Sequence, residues 1–464
     1  MTCPFIDILK RVMKNLVKQK RIIKGVLSSV ILISTLLCES SAIAITLEEA
    51  IAIAVKNYPS MQEARFERNA IRGDLDTAKA NYYPSIDLGA GIGPEWTDNP
   101  TTRRTNEDDR WLTRKESSLR LTQILFDGYE RTASVEEQEA LLEGAVHNVD
   151  DRGDTIGSDV AFSYIDVLRH SEILQSAEES LKVHAQILDY VKQRVDAGHS
   201  GMGDLQQARA REANAKSRIA KITEELDKAK ITFNRLVGRM PDSLVRPDFD
   251  DGILPKSVGM AIQVANEKSS LIKRVQSRME AAKAQVKASS SGNYPTFLLD
   301  IGGRANDDLD GQSGRDNDIQ AMLRMEMNLF RGGADSAKQR AAAERYSKSM
   351  SVLAETRRKV EEEVRRAWST KQSQDDEEES RLAEVLANGQ VADIYGQEFQ
   401  LGLRDLLDLL VAENELFKSR SLLISTQSSA LYSRFLLLAS MGVLMESLGI
   451  PTQEGIQEDG LVDN

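Results

Sequence analysis

Cysteine is almost missing. The only two, Cys3 and Cys38, fall in the first 40 of 464 residues, so no disulfide framework can staple the rest and packing must hold it. Aromatic residues make up 5%, a lean supply for one large globular core and a better match to long, solvated helices. Basic residues are not in excess. There are 60 Lys and Arg against 72 Asp and Glu, a net charge of −12. With no surplus cation to neutralise phosphates, the composition argues against nucleic acid as a partner. Beyond residue 44 no run of 18 apolar residues occurs, so no transmembrane helix is expected. No Walker-A lysine motif occurs either, so any energy must come from a partner.

The first 44 residues stand apart. Lys10, Arg11, Lys14, Lys18, Lys20, Arg21 and Lys24 face only Asp7, an apolar run follows from Val26 to Cys38, and Ala42-Ile43-Ala44 ends it. Basic, apolar, then A-x-A is the layout of a secretory signal peptide, and the run is short for a bilayer span. Cleavage is expected after Ala44. Cys38 does not read as a lipoprotein site, because Leu37 occupies the position that needs a small residue. Removing 1–44 takes away seven basic and two acidic residues and leaves a net charge of −17.

The remainder is written twice. Leu125-Phe126-Asp127-Gly128 recurs as Leu329-Phe330-Arg331-Gly332, 204 residues later. Gly198, Asp204-Leu205, Ala208 and Gly238 recur at that offset as Gly402, Asp408-Leu409, Ala412 and Gly442. Upstream, Tyr83-Pro84-Ser85 matches Tyr294-Pro295-Thr296 at an offset of 211. So long a period means a duplicated half-protein rather than a solenoid. The halves are read as 45–250 and 251–445, with 446–464 a C-terminal tail.

Each half reads helix, strand, loop, strand, helix, turn, helix. A helical pattern is expected from Thr46 to Asn81, stopped by Tyr83-Pro84. Then Ile86, Leu88, Ala90 and Ile92 alternate with Ser85, Asp87, Gly89 and Gly91, the period of a strand with one apolar face. Leu119, Leu121 and Leu125 continue this in a partner strand, with Gln123 interrupting. Phe297, Leu299 and Ile301, then Ile319 through Leu329 on odd positions, give the second pair. The hairpins are placed at 85–126 and 296–330, with polar loops at 94–118 and 305–318. Trp96 and Trp111 flank the first loop, as tryptophans of a membrane-interface girdle do.

Proline-free helices follow. Val167, Leu174, Leu181, Leu188 and Val195 repeat every seven residues, with Ala177 and Val191 at the intervening sites, which is coiled-coil packing. Glycine-rich turns at 198–204 and 402–408 reverse the chain.

Four strands with one apolar face cannot close a membrane barrel, which needs about eight. Subunits donating four strands each to one shared barrel would put the apolar face on lipid. Asp87, Arg120, Asp300, Arg324 and Glu326 would then line a wet lumen, and the helices would hang on the side opposite the loops. A soluble sheet packed on a helix is the competing arrangement.

In the order and duplication of the Leu-Phe-x-Gly blocks, the Tyr-Pro junctions and the Gly-to-Asp-Leu turns, the sequence resembles the TolC-like outer-membrane efflux and secretion ducts. The resemblance runs along essentially the whole mature chain. It implies a mainly α fold with a β-barrel part: a homotrimer whose 12-stranded barrel in outer-membrane lipid stands on a coiled-coil-like periplasmic tunnel. It also implies docking to a periplasmic adaptor (membrane fusion) protein and an inner-membrane ABC or proton-driven transporter, with no cofactor. It further implies that 198–204 and 402–408 form the tunnel's periplasmic tip, that Asp408 rings the entrance, and that Asp204 and Arg404 hold it closed. Val411 stands where the family's best-known member has a second acidic ring, so a cation-binding double ring is not implied. Type I protein secretion is slightly favoured over small-molecule efflux.

Enzymatic readings find little support. His147, His170, His184 and His199 show no metal spacing, and His170 and His184 fall on heptad sites where polar residues set packing. Gly89, Gly91 and Gly93 form G-x-G-x-G, but no helix follows as a dinucleotide site requires. The rival of another class is a periplasmic coiled-coil adaptor or scaffold, which would have no need of two alternating hairpins.

Overall fold

The computed structural model describes residues 45–106, 108–241 and 243–453. The expected signal peptide, with Cys3 and Cys38, and the residues from 454 on lie outside them. The chain divides into two compact units. In the smaller, Ile45 and Leu244 form a parallel bridge. The larger, 47–240 with the chain from 246 onward, holds every element below.

Helix α1 (Leu47–Asn57) is followed by α2 (Pro59–Ala80). The single helix expected from Thr46 to Asn81 is thus broken. Pro59 has no N–H to continue the ladder and holds Tyr58 extended (φ −66°, ψ 132°), so it opens α2 instead. Strand β1 (Ser85–Trp96), the short helix α3 (Pro100–Thr105) and β2 (Trp111–Phe126) come next. The long helices α4 (Glu130–Asp196) and α5 (Met202–Val237) end the first half.

The second half repeats the order: α6 (Val258–Lys268), α7 (Ser270–Ser289), β3 (Thr296–Asp307), β4 (Arg315–Glu326), α8 (Ala334–Gln400) and α9 (Leu406–Met441), closed by α10 (Leu444–Ser447). Helices α4 and α8 have 67 residues each, and α5 and α9 have 36 each. At ~1.5 Å per residue the longer pair reach about 100 Å.

Both long helices stop in the same way. Gly198 and Gly402 adopt left-handed φ of 74° and 78°. His199 N–H then donates to Arg194 O at 2.7 Å, and Leu403 N–H to Glu398 O at 2.8 Å. These are the long-range bonds of a Schellman end, which glycine permits at no steric cost. Along the heptad, Val167, Ala177, His184 and Val191 are buried, whereas Leu174, Leu181, Leu188 and Val195 stay half-exposed.

The strands form one antiparallel sheet in the order β1-β2-β3-β4, with open edges at β1 and β4. They reach further into the polar sequence than expected. The loops placed at 94–118 and 305–318 shrink to 97–110 and 308–314, because charged residues such as Arg114, Glu116 and Asp307 continue the ladder. At the other end β4 stops at Glu326 rather than running to 330. Thr296, its partner there, is the first residue of β3, so Met327–Phe330 have nothing to pair with on that side. A register shift between Ile124 and Phe126 also takes Leu125 out of the expected alternation.

Candidate functional site

The strand register sorts the sheet into two faces, since residues opposite one another share a side. Ile86, Leu121, Ile301 and Ala321 form one row, and Leu88, Leu119, Gly303 and Ile319 the next. Ile86, Leu88, Leu119 and Leu323 are exposed on this face. Trp96 pairs directly with Trp111 at its loop end. Gln123 interrupts the apolar row but is satisfied, its Nε2 donating to Tyr82 O at 3.1 Å and Ile124 O at 2.8 Å.

Asp87, Arg120, Asp300, Arg324 and Glu326 all fall on the opposite face. Three of them form a cluster. Asp300 lies between two guanidiniums, 3.9 Å from Arg120 Nε and 3.4 Å from Arg324 Nε. Two further arginines on this face form ion pairs that were not singled out in the sequence. Arg304 Nε donates to Asp318 at 2.7 Å, and Arg114 reaches Glu116 at 2.8 Å and Glu95 at 3.3 Å. A Cβ on Gly91 would stand 2.8 Å from the Glu116 carboxylate. The G-x-G-x-G run therefore leaves room for long charged neighbours.

Where strands meet helices there is an aromatic cluster that sequence reading missed. Phe126 packs edge-on to Tyr129 at 5.4 Å and to Tyr294 at 6.4 Å. Its signal was present, since Phe126 and Tyr294 both belong to duplicated motifs.

The second candidate site is the pair of helical tips. Arg404 and Asp408 are joined at 3.4 Å, but the stronger partner of Arg404 is Glu398, whose carboxylate accepts from its Nε at 2.9 Å and Nη2 at 2.8 Å. The guanidinium also lies 4.1 Å over the Tyr395 ring. Asp204, the partner expected for Arg404, instead accepts from Gly201 N–H at 3.4 Å and caps α5. Within one chain the cap and the Glu398 pair occupy both groups.

What joins the two tips is mostly apolar. Val191, Leu205, Phe399, Leu406, Leu409 and Leu410 form a buried cluster. Arg194 lies 5.4 Å over the Phe399 ring and donates to Phe399 O at 3.3 Å. Tyr190 OH donates to Gln400 O at 3.1 Å. Leu407 and Val411, beside Asp408, are exposed.

His184 is buried, and burial together with Arg218 and Arg211 lowers its pKa, so it is held neutral inside the helical pack. Among the described residues no group of His, Cys, Asp or Glu could hold a metal ion. No described helix is long and apolar enough to cross a membrane.

The segment after α9 is tied down as far as residue 453. Arg65 Nη2 donates to Thr452 O at 3.1 Å, Arg68 Nη1 to Gln453 Oε1 at 3.0 Å, and Thr452 Oγ1 to Asp150 at 2.5 Å. Asp154 accepts from Met445 N–H at 3.0 Å. Burial nevertheless pushes the Asp154 carboxyl up to about 7, outweighing the hydrogen bond. The raised value means the folded state holds this proton more tightly than the unfolded chain. The resulting cost is absent below pH ~4, grows through pH 4–7 and is complete above about 7. Asp154→Asn keeps an acceptor for Met445 and removes that cost. Its thermal midpoint should exceed wild type by more at pH 8 than at pH 5, and an equal gain at both would exclude the carboxylate as the cause.

A two-faced four-stranded sheet with open edges is thus carried on paired long helices. The pattern of the outer membrane efflux protein family matches residues 50–239 and 261–443, and the chain belongs to that family. It is therefore an outer-membrane protein with its helical tunnel in the periplasm. The chain is 25% identical over 435 residues to the outer membrane efflux protein BepC of Brucella suis, spanning 92% of this chain and 91% of that one. It is 23% identical to the proteases secretion protein PrtF of Dickeya chrysanthemi, over 86% and 87%. The crystal structure of CusC superposes with a TM-score of 0.75 at 19% identity, covering 86% of this chain and 92% of CusC.

Proposed function

We propose that three copies of this chain form an exit duct. It would receive cargo from an inner-membrane transporter and a periplasmic adaptor and release it outside the cell. The observation that carries this reading is the sheet itself. Four strands with two open edges and an exposed apolar face cannot stand alone in lipid, where every backbone N–H and C=O needs a partner. Three copies give 12 strands and leave no edge. On this reading Asp87, Arg120, Asp300, Arg324 and Glu326 line the lumen, and Trp96 and Trp111 sit at the outer membrane interface. Native mass spectrometry in detergent should find a trimer that conducts in planar bilayers; a stable, conducting monomer would sink the proposal.

For the cargo we favour secreted protein, in keeping with the likeness to a relative named for protease secretion. Small-molecule efflux is the second reading, favoured by the relative named for efflux. A deletion strain separates them. Loss of a specific polypeptide from the culture medium, with drug tolerance unchanged, supports secretion; the reverse supports efflux.

The tips at 198–204 and 402–408 form the gate in this reading, with Asp408 ringing the entrance and Asp204 beside it. A half-exposed pair such as Arg404–Glu398 adds only modestly to the closed tip, because solvent and salt screen it. Arg404→Ser should therefore give a modestly leakier channel. Asp204→Ala should act through the α5 cap and have a smaller effect. Asp408→Asn should weaken block by multivalent cations added on the periplasmic side. Single-channel recording checks all three, and unchanged currents with intact trimers would remove these residues from the gate.

A further inference from the structure

The apolar face of the sheet changes character toward the loops. Above the row Leu88–Leu119–Gly303–Ile319 comes a row of smaller residues, Ala90–Ser117–Ala305–Asn317, and above that a charged row, Ile92–Lys115–Asp307–Arg315. Small side chains beside large ones leave an open groove of about 690 Å³. Gly303, Ala305 and Ser117 form its floor, and Leu88, Leu119 and Ile319 border it. A Cβ on Gly303 would lie 3.7 Å from Ile319 Cγ1, in ordinary contact, so glycine is not demanded by crowding within the chain.

Lys115 and Arg315 stand at the loop-side end of this groove, on the same face. Lys115 pairs with Asp307 at 3.3 Å. Arg315 is exposed and makes no ion pair among the described residues. The two cations lie two strand spacings apart, about 10 Å. The Trp96–Trp111 pair follows on the same face, nearer the loops. An apolar groove is thus followed, toward the loops, by cations and an aromatic pair, as a lipid's acyl chain is followed by its headgroup region.

We propose that this groove binds a phosphorylated glycolipid of the outer leaflet, with an acyl chain over Gly303 and headgroup phosphates at Lys115 and Arg315. Charge-assisted hydrogen bonds from ammonium and guanidinium groups suit phosphate oxygens. The separation of the cations suits a headgroup with more than one phosphate. The inference rests on the reading that the apolar face meets lipid.

The test uses the full-length protein, delipidated in detergent. It is mixed in turn with bisphosphorylated lipid A, the same lipid without phosphates, and phosphatidylglycerol, and bound lipid is counted by native mass spectrometry. Bisphosphorylated lipid A should be retained about tenfold better than either alternative. Lys115→Gln with Arg315→Gln should abolish that preference, and Gly303→Leu should reduce retention of lipid A while the phosphate preference persists. Equal retention with and without phosphates, or an unchanged preference in the double variant, would overturn the assignment. Phosphatidylglycerol retained as well as lipid A would overturn the choice of a glycolipid. Both cationic side chains are exposed, and each variant's assembly is read from the same spectra. Normal conductance without lipid preference rejects this site alone, whereas a wild-type protein that forms no channel rejects the duct.

Discussion

Leu323→Arg is expected to prevent insertion. Leu323 is 66% exposed and lies opposite Leu299 in the apolar rows of the sheet. An arginine facing lipid near the midplane costs about 2–4 kcal/mol, and a trimer carries the cost three times. The heat-modifiable oligomer band on gels should disappear, and protein should accumulate outside the membrane fraction. The neighbouring change, Arg324→Leu, falls on the other face. It removes one of the two guanidiniums that hold Asp300, leaving Arg120 at 3.9 Å. That variant should assemble and show altered conductance. If both assembled equally well, the faces would be assigned the wrong way round.

Phe399→Ala should have the largest effect at the other end of the molecule. The ring is 5% exposed, meets Tyr190 edge-on at 5.6 Å and lies beneath Arg194. Removing a buried phenyl costs about 3–5 kcal/mol, whereas solvent screens the Arg404 pair. The α4–α5 and α8–α9 tips should separate. Higher single-channel conductance is expected, with faster proteolysis around 198–203. Arg194→Ala loses bonds to the Phe399 and His199 carbonyls and cation–π contacts with Phe399 and Tyr190, each contact worth about 0.5–1 kcal/mol, but leaves the buried cluster filled, so its effect should be smaller. Wild-type conductance and protease resistance in Phe399→Ala would show that this cluster does not hold the tips together.

Much of the architecture was legible because it depends on periodicity. Alternation located the strands, the heptad located α4, and the duplication fixed the order. The strand ends were less legible, because Arg114 and Asp307 look like loop residues until the ladder pairs them. Tyr58–Pro59 was passed over within an otherwise helical pattern. Within one chain the charges of the tip pair differently from what equivalence of the halves suggests. Equivalence between the halves made Asp204 the natural partner of Arg404, yet the halves have diverged at the charges that matter. Arg194 occupies the position equivalent to Glu398, and Ser200 that of Arg404. That exchange was visible in the alignment of the chain with itself. It needed the turn geometry to show that Glu398 and Arg404 face each other across Gly402.

The matched helix lengths have a consequence for how such a chain can change. Each half carries one helix of 67 residues and one of 36, and the two turns meet through side chains as short as Leu and Phe. Deleting one turn from α4 alone would pull Gly198 back by about 5.4 Å, beyond the reach of Arg194 and Tyr190 to the end of α8. The same deletion made in both halves would keep the turns level and shorten the whole periplasmic span instead. The helical region therefore works as a pair of rulers cut to one length. Insertions and deletions are tolerable there only when they arrive in register on both.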